Sequence, residues 1–251
     1  ADSAQSWFAD SPSDASAKIA ALALFQAGRA QEAERSISKL RSESDDVEAW
    51  RVKAMVLFAR GDGRSAMAAL ERANKLNPKD AETFCEIGYA FVRQGNIETA
   101  MNAFKAAARE DPKSRCGHIG PYFAQPISSG NPAPASVIKE YISKSVGSWE
   151  KAFLMSVQAR IYIEDRNLKN ALSTAQEATQ LAPHSAPAWY ALGEVAKKLK
   201  NDDQSLEAYA KAAQLDASWI SARLNHAEAL AKKGGAMVPA AINEYESIVM
   251  L

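Results

Sequence analysis

DAETFCEIGYAFVRQGNIETAMNAFKAAAREDP, residues 80–112, decides the fold. Counted from Phe84, apolar or small residues stand at Ile87, Gly88, Phe91, Gly95, Ala100, Phe104 and Ala107, and Pro112 closes the run. Phe84, Ile87 and Phe91 recur at helical spacing, so they share one face of a helix. Gly88 and Ala100 are small enough to let two helix backbones approach. Phe104 and Ala107 give a second helix its inward face. Gly95 suits a helix C-terminus in the left-handed region, and Asn96 suits the next N-cap. Pro112 cannot continue a helix and turns the chain into the next unit. The stretch is two amphipathic helices with a Gly-Asn break between them, and one such pair cannot bury its apolar face without stacked neighbours.

The neighbours are copies. Residues 47–80 carry Trp50, Ala54, Leu57, Gly61, Ala66, Leu70, Ala73 and Pro78 at a constant shift of 34 from the central unit. Lys53 breaks the apolar slot that Ile87 fills, but its aliphatic stem can pack while the ammonium reaches water. Residues 14–46 are a degenerate copy, with Ala17, Ala20, Ala21, Leu24, Gly28, Ala33 and Ile37 in the slots. Three further copies follow later in the chain. Residues 152–185 hold Ala159, Tyr162, Ala171, Ala175, Ala178 and Pro183, and Arg166 and Asn167 stand where glycine is expected. Residues 186–219 hold Trp189, Leu192, Gly193, Ala196, Tyr209 and Ala212. Residues 220–251 hold Ala227, Leu230, Ala241 and Tyr245, with two extra turn residues around Gly234–Pro239. If Trp189 is as buried as its slot implies, Trp189→Ala is expected to cost about 3–5 kcal/mol.

Residues 115–151 interrupt the pattern. Gly117, Gly120 and Pro121 are expected to break the first helix of this unit. A loop rich in Pro, Ser, Gly and Asn runs from 125 to 134, and Ala135–Ser145 reads as the second helix. This is an irregular fourth repeat, either a tolerated insertion, a hinge or a binding elaboration. Residues 1–13 match no complete repeat and form a tail or cap, in which Trp7 and Phe8 are expected to cover the apolar end of the array. The Ala-Asp-Ser start fits either a processed terminus or a segment of a longer chain. The final copy is expected to be truncated inside its second helix.

Taken together, the unit at 80–112 and its copies resemble the tetratricopeptide repeat, a 34-residue helix-turn-helix unit. The resemblance covers nearly all of residues 14–251. It implies an all-α, right-handed superhelical solenoid of antiparallel helix pairs, about seven repeats long. In that family the first helices line a concave groove, which holds an extended or helical segment of another protein. Carried over by position, the groove residues are Arg51, Met55, Phe58, Tyr89, Val92, Arg93, Arg160, Glu164, Tyr190, Glu194 and Lys197. Arginine and tyrosine among them are frequent interface anchors; packing between repeats is the alternative for Phe58 and Tyr89. One member type clamps an acidic chaperone tail with Lys and Asn. The matching positions hold Lys18 with Leu22, Val52, Arg51 followed by Met55, and Glu82 with Glu86; the two Asn are lost and acidic residues enter, which disfavours that partner.

Composition sets the remaining bounds. The 251 residues carry 30 acidic and 30 basic side chains, so neither nucleic acid nor an anionic membrane is an expected partner. An apolar content of 47% fits a folded chain. No run of apolar residues is long enough to insert into a membrane. Cys85 and Cys116 are too few for a disulfide framework. They fall at nearby positions of successive first helices, so one bridge is compatible with the spacing, but two reduced, half-buried thiols are the expectation. His118, His184 and His226 lack metal-ligand spacing, and no phosphate loop, dinucleotide motif or nucleophile elbow is present, so no cofactor, metal or catalytic role is expected. The functional expectation is a non-enzymatic protein-interaction scaffold or adaptor. Two alternatives stand beside it: the repeat segment of a larger enzyme or export apparatus, and a homo-oligomeric scaffold.

Overall fold

The computed structural model describes residues 13–124, 135–145 and 147–249. The expected cover from Trp7 and Phe8, and the loop at 125–134, lie outside these residues. The described chain is helical throughout, with fourteen α-helices and no strand. In chain order they are α1 (Asp14–Gln26) with α2 (Ala30–Ile37), α3 (Val47–Ala59) with α4 (Gly63–Leu76), and α5 (Ala81–Arg93) with α6 (Ile97–Glu110). Then come α7 (Arg115–Ala124), α8 (Ala135–Lys144), and α9 (Ser148–Glu164) with α10 (Leu168–Leu181). Last are α11 (Ala186–Lys198) with α12 (Asp202–Leu215), and α13 (Ile220–Lys233) with α14 (Val238–Val249). None of the described helices is long and apolar enough to cross a membrane.

Caps and turns follow the sequence pattern. The side chains of Asp46, Asp62, Asp80, Asn96, Asn167 and Asn201 each accept a hydrogen bond from the backbone N–H three residues on, which satisfies an otherwise orphaned donor. The turn inside a pair needs one residue with positive φ. Gly28, Gly61 and Gly95 supply it at little cost, whereas Arg166 and Lys200 hold the same conformation at φ 57° and 60°.

Within three of the pairs, a small residue on the first helix faces a larger one sixteen positions on: Ala54 with Leu70, Gly88 with Phe104, Gly193 with Tyr209. A Cβ built on Gly88 would lie 2.6 Å from the Phe104 ring, and one on Gly193 the same distance from the Tyr209 ring. The glycines are where aromatic rings replace aliphatic side chains. Lys53 places its ammonium 4.9 Å from the centre of the Trp50 ring.

The two repeat tryptophans share one device. Trp50 donates its indole N–H to Ser44 O at 3.0 Å, and Trp189 donates to Pro183 O at 2.8 Å, six residues back in each case. Trp50 is buried, while Trp189 is half-buried. Trp189→Ala is therefore expected to cost about 2 kcal/mol, less than full burial implied, and Trp50→Ala about 3 kcal/mol. Urea midpoints of the two variants measured side by side check the order; a larger loss at Trp189 would contradict it.

The irregular unit departs from expectation in two ways. Helix α7 runs through Gly117, Gly120 and Pro121 without a break. The two glycines are contact positions rather than breakers: Gly117 lies against the Ala108 backbone and Gly120 against the Phe104 ring. Helix α8 packs onto α9, and α7 packs onto α5 and α6, so the fourth pair is splayed and Ile138 is buried in the same core as Phe123 and Leu154. The thiols also differ. Cys85 and Cys116 form a disulfide, with Cα atoms 6.0 Å apart. This corrects the reading of two reduced thiols. The α5–α7 packing places the two residues side by side, within the Cα separation a bridge allows. The bridge closes a loop across 31 residues of sequence. Reduction, or Cys116→Ser, is expected to lower stability by about 3 kcal/mol through the greater entropy of the opened unfolded chain. Unfolding with and without reductant tests this.

Candidate partner-binding site

In an open solenoid each repeat touches only its neighbours. Here the chain curls until distant repeats meet. Arg93, at the end of α5, donates from Nε to Asp216 Oδ2 at 2.6 Å. Asp216 caps the end of α12 and also accepts from Ser218 Oγ at 2.8 Å. The Ala217 N–H donates to Ala59 O at 3.3 Å. Gly28 presses on the His184 ring, and Phe25 meets Trp149 with ring centres 5.4 Å apart. The turns inside the first three repeats thus sit against the turns between the last ones. Burial disfavours the Arg93 cation, but the Asp216 carboxylate, with Glu86 and Tyr89, more than offsets this, and the guanidinium is held above its ordinary pKa.

A cavity of about 280 Å³, open to solvent, lies at the axis of the ring. One wall is Phe25 of α1, Met55 of α3, and Glu86, Tyr89 and Arg93 of α5; the opposite wall is Phe153, Trp149 and Glu150 of α9 with Leu215, Asp216 and Trp219. Aromatic rings dominate. Tyr89 packs edge-on against Phe104, Phe123 and Phe153 at 5.1–5.5 Å. Trp219 stacks on Tyr190 at 4.6 Å. Burial pushes the Tyr89 hydroxyl up from its ordinary pKa. Burial likewise raises the Glu86 carboxyl, against the pull of Arg93 and Arg51.

The residues expected to line the groove fall into three groups. Met55, Tyr89 and Arg93 line the cavity. Arg51 stands beside it, 3.6 Å from Asp80 and 3.9 Å from Glu82. Phe58 and Val92 are buried in the packing between repeats, with the Arg93 guanidinium 5.0 Å from the Phe58 ring centre. On the second half, Arg160 and Tyr190 are buried: Arg160 donates to Glu194 at 2.6 Å and to the Phe123 carbonyl. Lys197 is exposed and donates to Asn225 and Glu228, and Glu164 is exposed at the end of α9. The spacing rule marks one helix face and says nothing of how far the array curves. It therefore missed Phe25, Glu86, Trp149, Phe153 and Trp219, which ring closure brings to the same cavity.

Two family models for the tetratricopeptide repeat match the chain, one over residues 47–89 and the other over 81–114 and 186–218. The second set coincides with the pairs α5–α6 and α11–α12. The chain carries tetratricopeptide repeats. Repeats of this family serve in general as protein-interaction modules. Comparison with curated proteins gives no match. Among solved structures, MamA residues 41–end from Desulfovibrio magneticus RS-1 is similar at 18% identity, covering 84% of this chain and 97% of that one, with a TM-score of 0.35. The yeast Sti1 TPR2AB domain in complex with pHSP90 is similar at 16% identity, covering 94% and 89%, with a TM-score of 0.39. The Cut9 and Hcn1 hetero-tetramer of the APC/C is similar at 15% identity, covering 97% of this chain but 42% of that one, with a TM-score of 0.43.

Proposed function

We propose that this chain is a non-enzymatic scaffold that holds a segment of another protein on the inner face of its ring of repeats. The supporting observation is the axial cavity, where half-buried rings from several repeats converge and where Met55, Tyr89 and Arg93 stand. Half-buried aromatic side chains around a concavity are the usual anchor sites for a partner.

A photo-crosslinking residue at Met55 tests the site against one at Glu71, which is exposed on α4. A partner adduct from position 55 and none from 71 is the expected result. Adducts from 71 alone would move the site to the outer face. A second reading, self-assembly, is favoured by α14, whose Val238, Ile242, Tyr245 and Val249 form an exposed apolar stripe. Sedimentation across a wide concentration range separates the two: a constant monomer mass excludes self-assembly.

A further inference from the structure

We propose, resting on the reading above, that the axial cavity receives a lysine side chain of the bound segment, with Glu86 as counter-ion to its ε-ammonium and the rings of Phe25, Tyr89, Trp149 and Phe153 as walls. Size comes first. A cavity of about 280 Å³ lies just under the range typical of drug-sized ligands, and it has room for one long side chain but not for a helix.

Charge decides the sign of the occupant. Asp216 is paired with Arg93 and Ser218, and Glu150 with Arg115. Arg51 is shared between Asp80 and Glu82. Among the described residues, Glu86 has neither a hydrogen-bond nor an ion-pair partner, although it faces the cavity. Around this space, carboxylates outnumber guanidinium groups, so the local excess is negative. A carboxylate half-withdrawn from water between aromatic walls, held only by the longer-range pull of Arg93 and Arg51, is costly. A cation entering the cavity removes that cost; a neutral or anionic occupant leaves it in place.

The walls point the same way. Aromatic faces attract a cation within about 6 Å of the ring centre, most strongly when water is excluded. Lysine fits better than arginine because its charge is compact and its stem is slender and apolar, matching a narrow space with a single free carboxylate. The methylenes would lie along Tyr89 and Phe153 while the ammonium reaches Glu86.

The test uses indole N–H signals in ¹H–¹⁵N spectra of the whole chain. Trp149 and Trp219 report the cavity, and Trp50 and Trp189 serve as internal controls. The probes are three capped tripeptides, acetyl-Gly-X-Gly-amide with X lysine, norleucine or arginine, each up to about 20 mM. The expected result is saturable shifts of the cavity signals with the lysine probe, and affinity at least about tenfold weaker with norleucine. Glu86→Gln should remove that difference. The same substitution should raise the melting midpoint of the empty protein by about 2 °C, because it removes a charge that burial disfavours. Equal binding of lysine and norleucine, tighter binding of arginine, lysine preference surviving Glu86→Gln, or no shift with any probe would each overturn the proposal. The Met55 crosslink is independent of these outcomes. An adduct there without lysine preference retains the scaffold and removes only the lysine.

Discussion

Asp216→Ala should lower stability by about 4 kcal/mol, although Asp216 lies in a turn and belongs to no repeat core. The reason is what it leaves behind. The Arg93 side chain is 18% exposed and the Asp216 side chain 7%, so the pair is largely out of water. Removing one partner of such a pair strands the other charge, which costs about 3–5 kcal/mol. Ser218 loses an acceptor in the same step. Replacing both, as Arg93→Met with Asp216→Ala, leaves neither charge of the pair stranded and should cost about half as much. A urea double-mutant cycle reads the coupling directly. Additive losses would show that the pair carries no coupling energy.

The same variant tests how the ring behaves as a folding unit. In a linear array, damage stays near its site because each repeat answers only to its neighbours. The Arg93–Asp216 pair joins positions 123 residues apart. With the pair intact, unfolding monitored at Trp50 and at Trp219 should share one midpoint. In Asp216→Ala the two midpoints should separate, with the half containing Trp219 losing structure first. Coincident midpoints in both proteins would mean that the contacts at Phe25 and Ala217 hold the ring without the ion pair.

What could be read in the chain divides along range. Helix pairing, caps and turns depend on residues a few positions apart. Asn96 with Gly95, and Asn167 with Arg166, are legible because each acts on its own backbone. The inward face is legible because it repeats. Ring closure is not, since Phe25, Trp149 and Asp216 each occupy a slot that the repeat leaves free, and their meeting depends on curvature accumulated over several repeats. Gly117 and Gly120 show a different limit. A glycine that ends a helix and a glycine that admits a neighbour are the same letter, and only the Phe104 ring lying against Gly120 distinguishes them. The cysteine pair needed the α5–α7 distance, which splaying of the fourth unit sets.

Phe104→Ala should be the most damaging core substitution, at about 4–5 kcal/mol. The ring is fully buried and is clamped between two glycines, Gly88 on its own repeat and Gly120 on the next. Truncation leaves a void that neither glycine can fill, and the cavity adds to the lost transfer energy. The opposite error should also be visible. Gly120→Ala pushes a methyl group into the ring and should cost about 2 kcal/mol. A compensating pair follows from the second repeat, where Ala54 faces Leu70. Gly88→Ala with Phe104→Leu imports that solution, and its loss should be smaller than the sum of the two single losses, because the residues are in contact. Urea midpoints of the five variants, counting both single substitutions of the pair, decide this; a loss below about 1 kcal/mol for Phe104→Ala would contradict the clamped packing. The void also lies behind Tyr89, whose ring packs on Phe104 at 5.1 Å and forms one wall of the axial cavity. Phe104→Ala should therefore weaken the binding of the lysine probe as well, coupling the core of the third repeat to the site at the centre of the ring.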